Sequence, residues 1–531
     1  MFPRGAVAAL LDFVAVGVAA LCLLAPAAWN GAPFPNSDTL SYLRVGDAAA
    51  HAMLDKLGFA DAGAWLPRAP DVEPDGSADA SATSASDEAI RMGTTYLGAR
   101  SIYYGLPAYL LMVLGGFWAV AVAQAVLAAV TLRVVLSAMV PYIAPGATVA
   151  LAALLTLTTP LGFLVSNIMP DVFLGLAAVS AAVLMAWFDR LGRSGVVFLC
   201  LMLAAGVLVH STHAPILAAG VLAGAVVGSL RGLAFWRRGT VMSLVVIVAG
   251  LAAVLGAKKA EEIALGQPLR NPPFLMARVV ADGPGRAWLD AACQERDLAL
   301  CAFRDRPLDD SQAILWGTDP ASAVFWPADY ATRVRVIDEE REVVLGTLLS
   351  DPLGVASATA TNVLRLTGRT ALAAELDWNM PPEIWRDFDD YAPGTADAYA
   401  ASAAYRDAIP FALVDGWFAA VGIAALGAAL ALLVYSARSA SGIGAAAMIA
   451  GSVIIAVVAA NIVLCGAASG PFDRYGARGL WLVPLVALAF LYGLRRTVGT
   501  ATRGATPAPT ERAVPPGAGS PQFGSKLEEL T

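Results

Sequence analysis

The sequence predicts an all-α polytopic membrane protein of about ten transmembrane helices, with one large insert domain outside the bilayer. Three observations lead there. First, 58% of the 531 residues are hydrophobic and only 15% are charged, with a mean hydropathy of +0.65. Soluble chains are about a quarter charged and roughly half apolar, so the excess must face lipid. Second, runs approaching the ~20 apolar residues that a bilayer core requires recur along the chain. They fall at 6–27, 106–131, 143–165, 171–188, 195–210, 213–230, 240–257, 410–435, 442–465 and 479–494. Third, arginine gathers in one alternate set of the short loops, the mark of the cytoplasmic side.

Composition also excludes several classes. A net charge of −7 is the opposite of a nucleic-acid footprint, so no nucleic-acid partner is expected. Five cysteines and three histidines leave no room for a disulfide scaffold or a histidine-built metal centre.

In chain order, residues 1–257 form a transmembrane core. Segment one contains Asp12 and ends in Ala25-Pro26-Ala27, so it reads as an uncleaved anchor or as a signal peptide with a small-residue cleavage site. Either reading places the following loop, 28–105, outside. Within it, 66–89 is acidic and rich in Ser, Ala, Asp and Pro, a composition that predicts disorder. Arg133, Arg190, Arg193, Arg231, Arg237, Arg238 and Arg438 then mark inner loops, and Arg495 and Arg496 open the tail. Both termini are therefore expected in the cytoplasm. The second large outer segment, 258–409, carries Trp288, Trp316, Trp326, Trp378 and Trp385 and is long enough for a core of its own. Glu339 to Leu349 has the period of an amphipathic helix. Residues 410–496 supply the C-terminal helices, and 497–531 reads as a disordered tail. Cys293 and Cys301, in the outer insert, are expected to form a local disulfide; two unpaired buried thiols are the alternative.

Ionisable residues near lipid survive only against protein or water, so their placement is informative. Four groups stand out, all on the outer side. In Asn36-Ser37-Asp38-Thr39, Ser37 or Asp38 could cap a helix, or Asp38 could accept a proton or hold a metal. Arg100-Ser101-Ile102-Tyr103-Tyr104-Gly105-Leu106-Pro107 is either an interface anchor or a guanidinium partner for an anionic head group. Asp171, after Pro170, suits a helix start. It could also join Asp38 around a divalent cation such as Mg or Mn. Arg474 and Arg478, on either side of Tyr475, run against the charge rule, so they call for a phosphate or an internal partner such as Asp473 or Asp415. His210 and His213, three apart in a tight outer turn, suit a proton shuttle or ligand. Gly220, Gly224 and Gly228 form a small-residue stripe for helix packing.

Taken together these motifs resemble the GT-C superfamily of integral-membrane glycosyltransferases, in its bacterial mannosyltransferase-like and arabinose-transferase-like branches. The likeness follows chain order over about 5–230 and again over 465–495. It rests on Asp38 with Tyr42 after helix one, the Arg-x-x-Tyr-Tyr-Gly-x-Pro entry into helix two and Gln124 within that helix. A Pro-Asp pair before a helix and an Arg-Tyr before the last span complete it. The paired acids common after helix one in that superfamily are absent here, and the insert precedes the last three helices. The resemblance implies a GT-C-like fold in a bacterial inner membrane, with the insert in the periplasm. It also implies transfer of a sugar from a polyprenyl-phosphate carrier to an envelope glycan, lipid or protein. Asp38 and Asp171 would be catalytic, alone or through a divalent cation. Arg100, Tyr103, Tyr104, His210, His213, Arg474 and Tyr475 would bind substrate. A transporter or flippase, or a non-catalytic assembly factor, is the rival reading.

Overall fold

Proline and glycine decide where the apolar runs break. The computed structural model describes residues 4–59, 66–67, 100–210, 212–265, 268–317, 319, 321–372, 376, 382–438 and 442–503. Among them there is no strand, only one isolated backbone bridge. Helix α1 (Arg4–Leu23) is followed by α2 (Ala25–Asn30), with Pro26 in its first turn, where a missing N–H has no ladder partner to lose. Helix α3 (Ser37–Lys56) lies in the first loop. Helix α4 (Ile102–Met139) outruns the expected 106–131 because it is two rods joined at Gly115 and Gly116. Gly116 has φ +64°, a conformation open to glycine at little cost.

The span expected over 143–165 is not continuous. It divides into α5 (Gly146–Thr158) and α6 (Leu161–Ser166). Pro160 lacks the N–H that a helix interior needs and drives Thr159 into an extended conformation. There follow α7 (Asp171–Trp187), α8 (Arg193–Val209), α9 (His213–Leu230) and α10 (Trp236–Leu265). The insert contributes α11 (Phe274–Ala281), α12 (Pro284–Ala292), α13 (Ser311–Trp316), α14 (Tyr330–Ser350), α15 (Pro352–Thr367), α16 (Pro382–Tyr391) and α17 (Thr395–Ala400). Last come α18 (Phe411–Arg438), α19 (Ala445–Ala468), α20 (Asp473–Leu480) and α21 (Leu482–Arg503).

Seven of the described helical stretches are long and apolar enough to cross a membrane, so the chain is a multi-pass membrane protein. The other three expected spans are shorter apolar helices: Val7–Leu23, Gly146–Thr158 and Arg193–Val209. The final span begins at Asp473 rather than 479, which draws Arg474 and Arg478 into helix. Helix α10 likewise passes the expected end at 257 by eight residues, carrying Lys258 and Glu261 with it. Most of the acidic stretch 66–89 lies outside the described residues, as do 504–531 and Trp378; α21 continues to Arg503.

Helix α7 is the axis of the bundle. Every one of its residues is buried, with α8, α10, α19, α9 and α4 packed around it. Lipid tails are as apolar as leucine, so close backbone approach rather than water exclusion holds such helices together. Gly206 of α8 lies against Ala177 and the Phe173 carbonyl, and Gly175 of α7 against the Trp481 ring. The stripe of Gly220 and Gly224 packs on Val453 and Val457 of α19, while Gly228 receives Trp236. Asp12, incongruous in an apolar run, pairs with Arg133 at 2.8 Å, so neither charge is buried alone.

The insert has its own apolar core, including Met276, Leu289, Leu300, Phe325, Val336 and Val343. Cys293 and Cys301 are joined by a disulfide with Cα atoms 5.5 Å apart, as expected. The helix expected around Glu339–Leu349 is the C-terminal half of α14.

Helix α3 crosses α4 where two glycines meet. A Cβ on Gly46 would lie 2.3 Å from the Gly105 carbonyl oxygen and 2.6 Å from Tyr109 Cβ; one on Gly105 would lie 2.5 Å from the Tyr42 carbonyl oxygen. Gly46→Ala and Gly105→Ala should each destabilise the protein by about 1–3 kcal/mol through overpacking. Thermal unfolding in detergent checks this, with Gly17→Ala, where nothing lies within 4 Å, expected to hold or slightly raise Tm because alanine favours the helix.

Candidate functional site

The site begins with a backbone splice between two distant segments. Phe34 N–H donates to the Ser166 carbonyl at 2.9 Å, and Ile168 N–H donates to the Phe34 carbonyl at 2.9 Å. Gln124, in the middle of α4, donates to the carbonyls of Val165 (2.9 Å) and Asn167 (2.8 Å). The Tyr104 hydroxyl donates to Gln124 Oε1 at 3.3 Å. A buried glutamine among apolar helices thus supplies the donors that an irregular chain needs inside the bundle. Thr39 Oγ1 adds a bond to the Ile168 carbonyl at 2.9 Å. The start of α3 is therefore tied to the start of α7, and Asp38 is brought toward Asp171.

The N-cap of α3 is Asn36, whose side chain accepts from Asp38 N–H at 3.0 Å. Neither Ser37 nor Asp38 is the cap, so both oxygens of Asp38 are left for other partners. Three arginines take them and those of Asp171. Arg100 pairs with Asp38 Oδ1. Arg474 donates from Nη1 to Asp38 Oδ2 and from Nε to Asp171 Oδ2, each at 2.9 Å. Arg478 reaches Asp171 Oδ1 at 3.3 Å and donates to Asn461 Oδ1 at 2.8 Å. Three guanidinium groups meet two carboxylates in an alternating chain, leaving one positive charge over.

Exposure falls along that chain, from 27% at the Asp38 side chain to 3% at Asp171 and 0% at Arg478. Arg478 also lies beside Cys465 Sγ at 3.0 Å and over the Tyr475 ring at 4.9 Å. Arg100 lies over the Tyr42 ring at 5.6 Å. Burial raises the Asp38 pKa, but Arg100 and Arg474 outweigh it and hold the carboxyl at about 2. Tyr42 is pushed above the usual phenol value by burial, against the opposing pull of the same arginines. His210 is held well below the usual imidazole value by burial, then by repulsion from Arg478, Arg474 and Arg100.

Among the described residues, two hollows flank the chain of charges. A shallow cleft opens between α4, α8 and α10, lined by Arg100, Ser101, Tyr103, His210, Lys258 and Glu261 among others. A second, smaller pocket is lined mainly by apolar residues, with Asp171 and Arg474 in its wall. Arg474 belongs to the second alone.

The other expected residues divide. Tyr103 lines the cleft, its hydroxyl donating to the Ala253 carbonyl at 3.1 Å. Tyr104 is buried against Tyr42 and Phe173 and positions Gln124, so it faces no hollow. Tyr475 meets Ser469 Oγ at 3.0 Å. His210 and His213 stack with centroids 4.9 Å apart. His213 is wholly buried, its Nδ1 on the Gly206 carbonyl at 2.8 Å, and its Nε2 has no hydrogen-bond partner among the described residues. A carbonyl accepts only, so Nδ1 carries the proton and Nε2 is a bare lone pair.

The donor set does not suit a divalent cation. All four carboxylate oxygens of Asp38 and Asp171 receive guanidinium groups, and Arg474 stands between the two side chains. No cluster of three or more His, Cys, Asp or Glu that could hold a metal occurs among the described residues.

The sequence marked Arg478 as a charge in need of a partner without placing it among the substrate-binding residues, and it did not single out Asn461, Lys258 and Glu261. Asn461 was visible as the one amide within the apolar run of α19. Lys258 and Glu261 fell just beyond the expected end of their span. No protein-family model, no curated protein and no solved structure matches this chain.

Removing Arg474 takes one guanidinium from each of two carboxylates, leaving Asp38 with Arg100 and Asp171 with Arg478. Arg474→Ala should lower unfolding stability by about 3 kcal/mol, more than Arg100→Ala, which costs only Asp38 a partner; chemical unfolding in micelles checks the order. The Asp38 value lies below its ordinary 3.8, so the ion pairs contribute fully above that pH and are lost as pH falls toward about 2. The acid-side fall of Tm should be shallower in Asp38→Asn than in the unsubstituted protein.

Proposed function

We propose that this protein is a membrane glycosyltransferase of GT-C type, using a polyprenyl-phosphate-linked sugar as donor. The observation that carries the reading is the surplus guanidinium charge at the edge of a cleft that opens between membrane helices. A lipid-linked phosphate keeps its tail among apolar helices and its charge at their ends. The cleft offers Arg100 and Lys258 at that level, with Ser101 and Tyr103 as polar neighbours. Guanidinium groups suit phosphate oxygens because they present paired donors in a fixed fork.

The chemistry is a single displacement. The acceptor hydroxyl oxygen forms a bond to the anomeric carbon, and the bond from that carbon to the phosphate oxygen breaks. The electron pair leaves on the phosphate, where Arg100 stabilises the charge. The hydroxyl proton passes to Asp38. A carboxylate held between two arginines is a feeble base. An incoming phosphate competes for Arg100 and raises the basicity of Asp38 when the donor is bound. Arg474 and Asp171 fix the orientation of Asp38, and the acceptor would be an envelope glycan, lipid or protein. In this reading the insert lies in the periplasm of a bacterial inner membrane, with both termini in the cytoplasm.

A carrier or flippase, or an assembly factor without catalysis, needs no base at Asp38. In liposomes supplied with a polyprenyl-phosphate sugar and acceptor extract, Asp38→Asn should lower transfer by a factor on the order of 10²–10⁴, with expression and membrane insertion retained. Full transfer by Asp38→Asn would sink the proposal. Arg100→Ala should depress kcat, and Arg100→Lys should restore part of it, since the point charge returns without the fork.

A further inference from the structure

Helices α14 and α15 form an elbow with a face that no described part of the chain covers. They meet at Asp351 with a bend of 104°. From Val343 to Leu364 the sequence runs 22 residues with a single charge, Asp351. That charge serves the fold, since Asp351 Oδ1 accepts from Gly354 N–H at 2.8 Å and caps α15. The inner face of the elbow is engaged. Val343 and Thr347 are buried, and Trp288 lies against Gly346. The outer face presents Leu345, Leu348, Leu349, Leu353 and Leu364, with Leu349 and Leu353 each 81% exposed.

By length and hydropathy the pair passes as one broken span, but its attachments forbid a crossing. Glu340, on the first arm, accepts from Leu275 N–H at 2.9 Å. Asn362, on the second, donates to both oxygens of Asp282 at 3.0 Å. Leu275 and Asp282 stand at the two ends of α11, a helix of eight residues, so both arms return to the same side. The second arm also packs along α19, a spanning helix, with the Val363 backbone close against Gly466. Its leucines thus continue the lipid-facing surface of α19, where Ile455 and Val463 are exposed.

We infer that this elbow dips into the leaflet on the insert side and rests its leucines on acyl chains, as a monotopic anchor that fixes the insert against the bilayer. Its partner is lipid, argued from that continuity and from the absence of charge other than the capping Asp351. The leucines reach the acyl boundary, about 5–10 Å in, and Asp351 enters the turn with its Oδ1 committed to the α15 cap. The anchor is independent of the transferase reading and needs no catalytic activity.

The test is collision-gradient EPR on the full chain in nanodiscs, with nitroxides at Leu349→Cys, Leu353→Cys and Leu364→Cys. Asp305→Cys, on a side chain 98% exposed in the insert, is the control, and the unsubstituted protein gives the background from native thiols. At the three leucine sites the ratio of oxygen to nickel-chelate collisions should exceed the control by roughly threefold or more, as for groups at the acyl boundary. Nickel access equal to the control would show an elbow in water and overturn the inference. Low access to both reagents would show a protein cover, such as a second copy, and overturn it equally. The substituted side chains are exposed, so melting temperatures should stay at that of the unsubstituted protein.

Discussion

Arg474 receives one carboxylate from the first loop and another from the head of the central helix, and its guanidinium is where the two halves of the chain become one object. Inside a bundle the attraction between opposite charges is strong, but so is the cost of drying them, and a buried pair that loses a member is far worse than none. The arrangement is therefore intolerant. Asp38, Asp171, Arg474 and Arg478 must be present together, and the backbone splice at Phe34 and Asn167 must hold the two acidic residues at the one spacing a single guanidinium can bridge. The alternating chain fixes geometry more than it adds stability, and geometry is what a reaction centre requires.

Much of this was legible in the sequence, for a physical reason. An ionisable residue beside lipid has few ways to exist, so Asp38, Arg100, Asp171 and Arg474 advertised themselves by position alone, and the structure places all four in one chain of ion pairs. Apolar run length found seven helices long enough to cross where ten were expected, and compartment chemistry found the disulfide. Other features depend on contacts that no local pattern reveals. Whether Asn36 or its neighbours cap α3 turns on a hydrogen bond two residues away. Tyr104 sits in the same motif as Tyr103 yet points the other way, because successive residues of a helix lie about 100° apart. Thr159 and Pro160 divide a run whose hydropathy is uninterrupted. Arg478 reads as a loop charge in water because the apolar run begins only after it.

The two hollows touch different parts of the same chain of ion pairs, and this constrains any chemistry there. A ligand in the cleft meets Arg100 and, through it, Asp38. A ligand in the second pocket meets Asp171 and Arg474 directly. Each sees the other only through exchange of guanidinium partners. The neutral imidazole of His210 lines the cleft, and His213, stacked on it, has a bare Nε2 without a hydrogen-bond partner among the described residues, adding acceptor capacity without adding charge.

Helix α4 is two rods, and the joint at Gly115 and Gly116 separates their duties. The long rod is moored at the far end, where Arg133 grips Asp12 and the Met139 carbonyl receives Tyr492 at 2.7 Å. The short one, Ile102 to Leu114, forms a jamb of the cleft and is fastened by Ser101 to Leu208 and by Tyr103 to Ala253. The joint lets the short rod follow α3, against which Gly105 is pressed, while the long rod keeps its own line to the moorings.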